Sequence, residues 1–455
     1  MLLGNLSGNA IAFGIFVMNA AGYSDATEVK GAVIGLAIGA LSLTVFLNMV
    51  SRRAGIYLNN IFAVLKVAVL LAIIVLGFVK ASGVNLGGQP KATSNFDPDT
   101  SFKPGAAEAP SVTDSLLYVV YTYSGFEQPF YVLTEVRTPR KVFPRYTFIA
   151  MVLATTLFLL TNVAYFCAVP QDLPAIREQR NMATVFFSQM FGNEAAKRVM
   201  DAIIAVSIFG NLLVMTFTAS RVKQEIAKEG ILPFSLMLAT SHRTLDALWQ
   251  ARRLSREGAT VANETLEQSP MAALLLHWMT SVALIAFTAM VDPAIAYSVL
   301  VTLYSYVIVT LNGFFTSLGL LYLKMHKQNR DWTNPNFNPR FGAVYAAVYF
   351  VACGVMLFTA FAPPSESSPY SYTATSIKWY LLPAIGLSVP LWGAMWYLGL
   401  RLVMFLRVLE LVVERNPTTA LADEDMPDQY IVTIENITHD WRRPQPREQV
   451  ELDGF

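Results

Sequence analysis

Charge is what this 455-residue chain has least of. Asp, Glu, Lys and Arg make up 14% of it, against about 25% in ordinary soluble domains. Cysteine is scarcer still. Cys167 and Cys353 both sit in apolar runs, which argues against a disulfide framework, and no CxxC or Cys/His cluster offers a metal site. The four histidines are scattered, the net charge is +1, and no basic tract is interleaved with aromatics. Nucleic acid is therefore not an expected partner. No Ser/His/Asp arrangement, catalytic carboxylate pair or phosphate-cradling glycine loop occurs, so the reading is of a protein that is not an enzyme and takes no cofactor or metal.

Apolar sequence fills the space instead, at 54% hydrophobic residues. Runs of about 20 apolar residues recur from end to end, each long enough to cross a hydrocarbon core of ~30 Å. The fold class is an all-α polytopic membrane protein with the lipid bilayer as its solvent. Ten spans are predicted, at 5–22, 31–48, 58–79, 113–135, 146–168, 198–221, 271–291, 294–323, 342–362 and 379–405. They form a membrane domain over 1–407, followed by a polar tail over 408–455. The start lacks a basic region and its apolar stretch is too long for a signal peptide, so it reads as the first span. Asn312-Gly313 is expected to bend the eighth span, and Pro383 and Pro390 to kink the tenth.

Loops after even-numbered spans hold seventeen Lys and Arg, and those after odd-numbered spans six. The positive-inside rule puts the even loops and both termini in the cytosol. Asn5-Leu-Ser, Asn263-Glu-Thr and Asn436-Ile-Thr match the glycosylation sequon, but their placement in or beside a span or in the cytosol makes them chance matches. The outer loop 80–112 is rich in Gly, Pro and Ser and reads as irregular. The tail carries an acidic stretch over 422–429 and no lysine.

An ionisable residue inside a span is a functional candidate by default. Lys66 lies about eight residues into the third span, ~12 Å from its cytosolic end. Its ammonium either snorkels to the cytosol or occupies a cation position between helices. Glu127 lies in "YTYSGFEQPF", Tyr121 to Phe130, between Gly125 and Pro129. Glycine weakens a helix there and proline removes a donor. A break in "SGFEQP" is tolerable at membrane depth only where it is buried or lines a watery cavity, and such discontinuous helices form the midplane sites of secondary transporters. Ser207 and Asn211, one turn apart on the sixth span, suit ligand contact and inter-helix hydrogen bonding equally. His277 suits packing, cavity lining or proton handling.

Three segments together carry a resemblance: "YSGFEQPFYVLTEVRTPRKVFPR" (123–145), "ASRVKQEIAKEGILPFS" (219–235) and "YLNNIFAVLKVAVLLAIIVLGF" (57–78). They resemble the amino acid–polyamine–organocation superfamily, most closely its fungal L-type or methionine-permease-like members, over roughly 1–405. The resemblance implies a five-plus-five inverted-repeat transporter fold. It aligns span four with the family's broken sixth helix, span three with the fifth and span six with the eighth. By that register the chain starts two helices late, without the family's broken first helix, whose glycine-rich turn holds the substrate carboxylate.

By position, the resemblance makes Tyr121 an aromatic gate over the bound side chain. Ser124, Gly125 and Phe126 offer carbonyls and shape, and Glu127 links the site to the inner gate. Lys66 replaces the sodium of sodium-coupled relatives, which suits proton coupling or exchange. The expected function is secondary transport of neutral amino acids, methionine or other large neutral types, by alternating access at the plasma membrane. The rivals are a non-transporting amino-acid sensor or a degenerate permease, and, more remotely, a channel.

Overall fold

The computed structural model describes residues 2–23, 25–84, 86–88, 93, 95–98, 116, 119–135, 139–170, 181–256, 267–326, 341–362, 378, 380–421 and 431–443. Most of the Gly/Pro/Ser-rich outer loop, Asn263 and the acidic stretch 422–429 lie outside them.

Long apolar helices dominate. In chain order they are α1 (Leu2–Ala20), α2 (Lys30–Val50), α3 (Arg52–Ala81), α4 (Pro139–Ala168), the short α5 (Met182–Phe191) and the 35-residue α6 (Glu194–Lys228). Two short helices follow, α7 (Ser235–Ala239) and α8 (Leu245–Arg256), then α9 (Met271–Thr288), α10 (Pro293–Tyr304), α11 (Asn312–Met325), α12 (Gly342–Thr359) and α13 (Leu381–Arg407). Among the described residues, eight helical stretches are long and apolar enough to cross a membrane. The chain is a multi-pass membrane protein.

Side-chain caps set several boundaries. Ser51 takes an extended backbone between α2 and α3, and its hydroxyl accepts from Ala54 N–H. Asn193 caps α6 through Ala196 N–H, and Asp292 caps α10 just ahead of Pro293. Each cap satisfies an amide left free by the first helical turn.

The predicted eighth span runs unbroken from Pro293 to Met325, but its irregularity is not at Asn312-Gly313. A π-helical stretch, Ser305–Leu311, occupies its middle, and regular α-helix resumes at Asn312. Pro390 lies inside α13 without ending it.

The core forms where α1, α2, α6, α9 and α10 meet. Leu6, Ala10, Val33, Leu41, Leu212, Ile285 and Leu300 are among its buried members. Small residues let these helices close up: a Cβ on Gly14 would stand 2.4 Å from the Val33 carbonyl oxygen. That matches membrane bundles, where packing rather than water exclusion draws helices together. Buried polar contacts add ties. Thr44 meets Thr216 at 3.2 Å, and Trp278 donates to Ser42 at 3.0 Å. On α13, by contrast, none of the apolar window is buried; Leu391, Trp392 and Phe405 face outward, as lipid contact requires.

Two small antiparallel sheets sit at helix ends. Strands β1 (His242–Arg243) and β2 (Gln268–Ser269) pair beside the end of α2, where Ser269 donates to the Asn48 carbonyl at 3.1 Å. Glu267 accepts from Arg53 N–H at 2.8 Å and pairs with Arg52, placing a carboxylate on the N-terminus of α3. The tail holds the second sheet, which the polar composition of 408–455 did not foretell. Strands β3 (Glu410–Leu421) and β4 (Ile431–Arg442), twelve residues each, pair antiparallel as a hairpin, registered from Glu410↔Arg442 to Leu421↔Ile431. It seats on the end of α6. His439 contacts the Lys228 carbonyl and the Ser235 hydroxyl, each at 3.0 Å, Arg415 pairs with Glu229, and Ile437 packs on Ala227 and Leu238.

Candidate functional site

The segment between α3 and α4 breaks where its sequence is least helical. Residues 119–122 are helical, 123–127 turn, and a 3₁₀ stretch, Gln128–Glu135, follows. Gly125 sits at the corner with φ +101°, a conformation that residues with a Cβ rarely adopt. Within the turn, Ser124 N–H reaches the Tyr121 carbonyl and Gln128 N–H the Gly125 carbonyl. The amides of Phe126 and Glu127 have no backbone acceptor among the described residues.

Glu127 braces this turn from both sides. Its Oε2 accepts from Gly125 N–H at 3.0 Å, an amide the break would otherwise leave unpaired. Its Oε1 accepts from the Tyr304 hydroxyl at 2.5 Å. A carboxylate so held makes two charge-assisted hydrogen bonds, the stronger kind. Tyr304 is the last residue of α10, buried at the edge of the π-helical stretch, and its ring meets that of Tyr121 edge to face at 6.5 Å.

A layer of amides continues from there across the bundle. The Tyr121 hydroxyl donates to Asn5 Oδ1 at 3.2 Å. Asn9, one turn along α1, donates to Asn5 Oδ1 at 2.6 Å, and Asn211 of α6 donates to Asn9 Oδ1 at 3.2 Å. Asn5 and Asn9 are nearly fully buried. The broken segment, α1, α6 and α10 thus converge on one polar layer within an apolar bundle.

Of the residues predicted for the site, Tyr121, Gly125, Glu127 and Asn211 come together here. Ser124 lies in the same turn. Phe126 does too, but its side chain is 40% exposed and adds no wall to the layer. Ser207 makes no hydrogen bond among the described residues, although Asn211 one turn on does cross to another helix. Lys66 stands apart on α3, half-buried and with no hydrogen bond or ion pair among the described residues. His277 is fully buried on α9, where its Nδ1 meets Lys223 Nζ of α6.

Three members went unseen in the sequence. Asn5 was read only as a sequon, and Asn9 was passed over. Their signal was available: two amides at i and i+4 on an apolar helix share one face and need partners. Tyr304 gave no signal, because a tyrosine in an apolar span is ordinary and its partner lies 177 positions away.

Comparison with known proteins shows the family of the chain. Residues 1–389 match a family model described as "Amino acid permease". The chain is 27% identical over 399 residues to the high-affinity methionine permease of Saccharomyces cerevisiae, an alignment covering 87% of this chain and 62% of that protein. It is 25% identical over 244 residues to the low-affinity methionine permease of the same organism, covering 52% of this chain and 42% of the relative. Over 207 residues it is 32% identical to the human large neutral amino acids transporter small subunit 2, covering 45% and 36% of the two chains. The chain therefore spans less than two-thirds of the length of these relatives.

Proposed function

The chain belongs to the amino acid permease family, and from that premise we propose that it is a secondary transporter of neutral amino acids working by alternating access. The observation that carries the proposal is the Gly125 break braced by Glu127 and Tyr304 within a buried polar layer. A broken helix at membrane depth exposes backbone groups where no water competes for them. The carbonyl end of the turn at 119–122 carries the negative end of a helix dipole and suits a substrate ammonium. Tyr121, stacked edge-on against Tyr304, closes over the substrate side chain.

The substrate class is large and neutral, with methionine foremost, because relatives are named for methionine and for large neutral amino acids. Glu127 does not by itself call for a cationic substrate, since both its oxygens are already engaged. Tyr304 sits on α10 and Glu127 on the broken segment, so their bond links two elements that must part when the site changes access. Lys66, a half-buried ammonium without a carboxylate partner among the described residues, takes the coupling role, with the proton as the coupling ion. The seventeen Lys and Arg in even-numbered loops favour cytosolic termini, in a protein of the plasma membrane.

The test is uptake into proteoliposomes holding the purified chain, with radiolabelled methionine, leucine, lysine and glutamate. Saturable uptake of methionine and leucine, with lysine and glutamate excluded, supports the proposal. Methionine binding without uptake would replace transport with sensing, and a preference for lysine would overturn the substrate class.

A further inference from the structure

Helix α8, Leu245–Arg256, plays no part in the polar layer, yet its two faces are built differently. Ala247 is buried toward the bundle and Ala251 partly so. The outward stripe reads Leu245, Leu248, Trp249, Arg252 and Arg256, at spacings of three and four that keep them on one side of a helix. Leu245 is 47% exposed, Leu248 37% and Trp249 66%. Arg252 and Arg256 are exposed as well. An apolar patch with a tryptophan thus runs into a cationic one, along about 16 Å of helix.

The position of α8 decides what this stripe meets. Its first residue follows β1 by two positions, and the strand paired with β1, β2, joins the end of α2 through Ser269 and leads directly into α9. The helix therefore starts beside the ends of two membrane-spanning helices, α2 and α9. Tryptophan is favoured at that depth, and arginine beside it is attracted to anionic headgroups.

We propose that α8 is an interfacial helix that docks on the adjoining leaflet, with Leu245, Leu248 and Trp249 among the headgroups and Arg252 and Arg256 on anionic phospholipids. The occupant is a negatively charged lipid surface because the stripe joins apolar area to positive charge, while Asp246 stands to one side of the stripe and is bonded by Gln250. A soluble acidic protein would leave the leucines and the tryptophan wet. Docking holds the segment that connects α6, which carries Asn211, to α9. The inference rests only on the multi-pass reading and not on the substrate.

The test uses the full chain in nanodiscs of phosphatidylcholine alone or mixed with phosphatidylserine. A bimane label on Leu248→Cys reports the surroundings; Cys167 and Cys353 are buried and are replaced by alanine. Lipid-borne nitroxide quenches a docked label, and aqueous iodide an undocked one. The expected result is nitroxide quenching that deepens with phosphatidylserine, while iodide quenching falls. Arg252→Gln with Arg256→Gln should lower the docked-to-undocked ratio about fivefold for each arginine removed, with the thermal midpoint unchanged. Equal iodide access in both lipids, or nitroxide quenching that ignores phosphatidylserine and the arginines, would overturn the proposal. So would protection from both quenchers that rises with the number of chains per disc, which would mark a second copy as the occupant. Uptake plays no part in the readout, so a failure here is distinct from a failure of the permease reading.

Discussion

At the scale of single residues, Glu127 is held at both carboxylate oxygens. One oxygen pairs the Gly125 amide and the other takes the Tyr304 hydroxyl. Glu127→Gln keeps the size but replaces one acceptor by a donor that faces another donor. Hydrogen bonds to charged groups contribute about 1.5–3 kcal/mol, so transport should fall about tenfold or more while the protein still reaches the membrane. Gly125→Ala acts through the backbone: nothing but the Gln128 side chain lies near the new Cβ, at 3.7 Å or more. The left-handed conformation itself costs about 1–2 kcal/mol with a Cβ present. A lowered thermal midpoint together with reduced methionine uptake is the expected pair of results. Lys66→Ala should abolish net uptake with surface expression intact, and unchanged uptake would remove the coupling role. Gly125 and Glu127, which the structure brings into the turn, stood out in the sequence because a charge or a helix breaker is conspicuous in an apolar run. Lys66 stood out for the same reason but lies apart from the polar layer. Tyr304 was illegible for the opposite reason, since its hydroxyl is hidden in a residue that suits lipid or protein equally.

At the scale of elements, the helical membrane class was readable because twenty apolar residues leave few alternatives in a bilayer. Of the ten predicted spans, 5–22 and 113–135 are not among the eight described helices long and apolar enough to cross. Departures from regular helix were less readable. The break at Gly125 was visible, but the π-helical stretch at Ser305–Leu311, all of whose residues are buried, has no distinctive local composition. The hairpin of β3 and β4 was missed because its pairing is decided between segments, not within either. Val412, Val413 and Ile437 are ordinary strand residues, but charge and polarity elsewhere in the tail masked them. Contacts between elements give two further predictions. A methyl on Gly14 would collide with the Val33 backbone, so Gly14→Ala should destabilise the α1–α2 contact by about 1–3 kcal/mol, read as a fall in thermal midpoint. Glu267 holds the start of α3 through Arg53 N–H. Glu267→Gln removes a charge worth about 0.3–1 kcal/mol at a helix N-terminus, and amide exchange over residues 52–56 should quicken without global unfolding.

At the scale of the whole molecule, an apolar bundle surrounds a polar layer to which the broken segment, α1, α6 and α10 all contribute. Apolar residues on α13 turn outward to lipid, while α6 crosses the core and carries the C-terminal hairpin on its end. This arrangement suits a transporter in which the inner helices hold the site and their ends are tied by short ribbons and loops. Its central claim is that the Glu127 brace belongs to the path of an amino acid. The most direct measurement is methionine counterflow in proteoliposomes, comparing the native chain with Glu127→Gln at matched protein density. Counterflow by the native chain that falls at least tenfold in the variant, with both proteins equally folded, is the predicted result. Equal counterflow by the two, or none by the native chain, would contradict it.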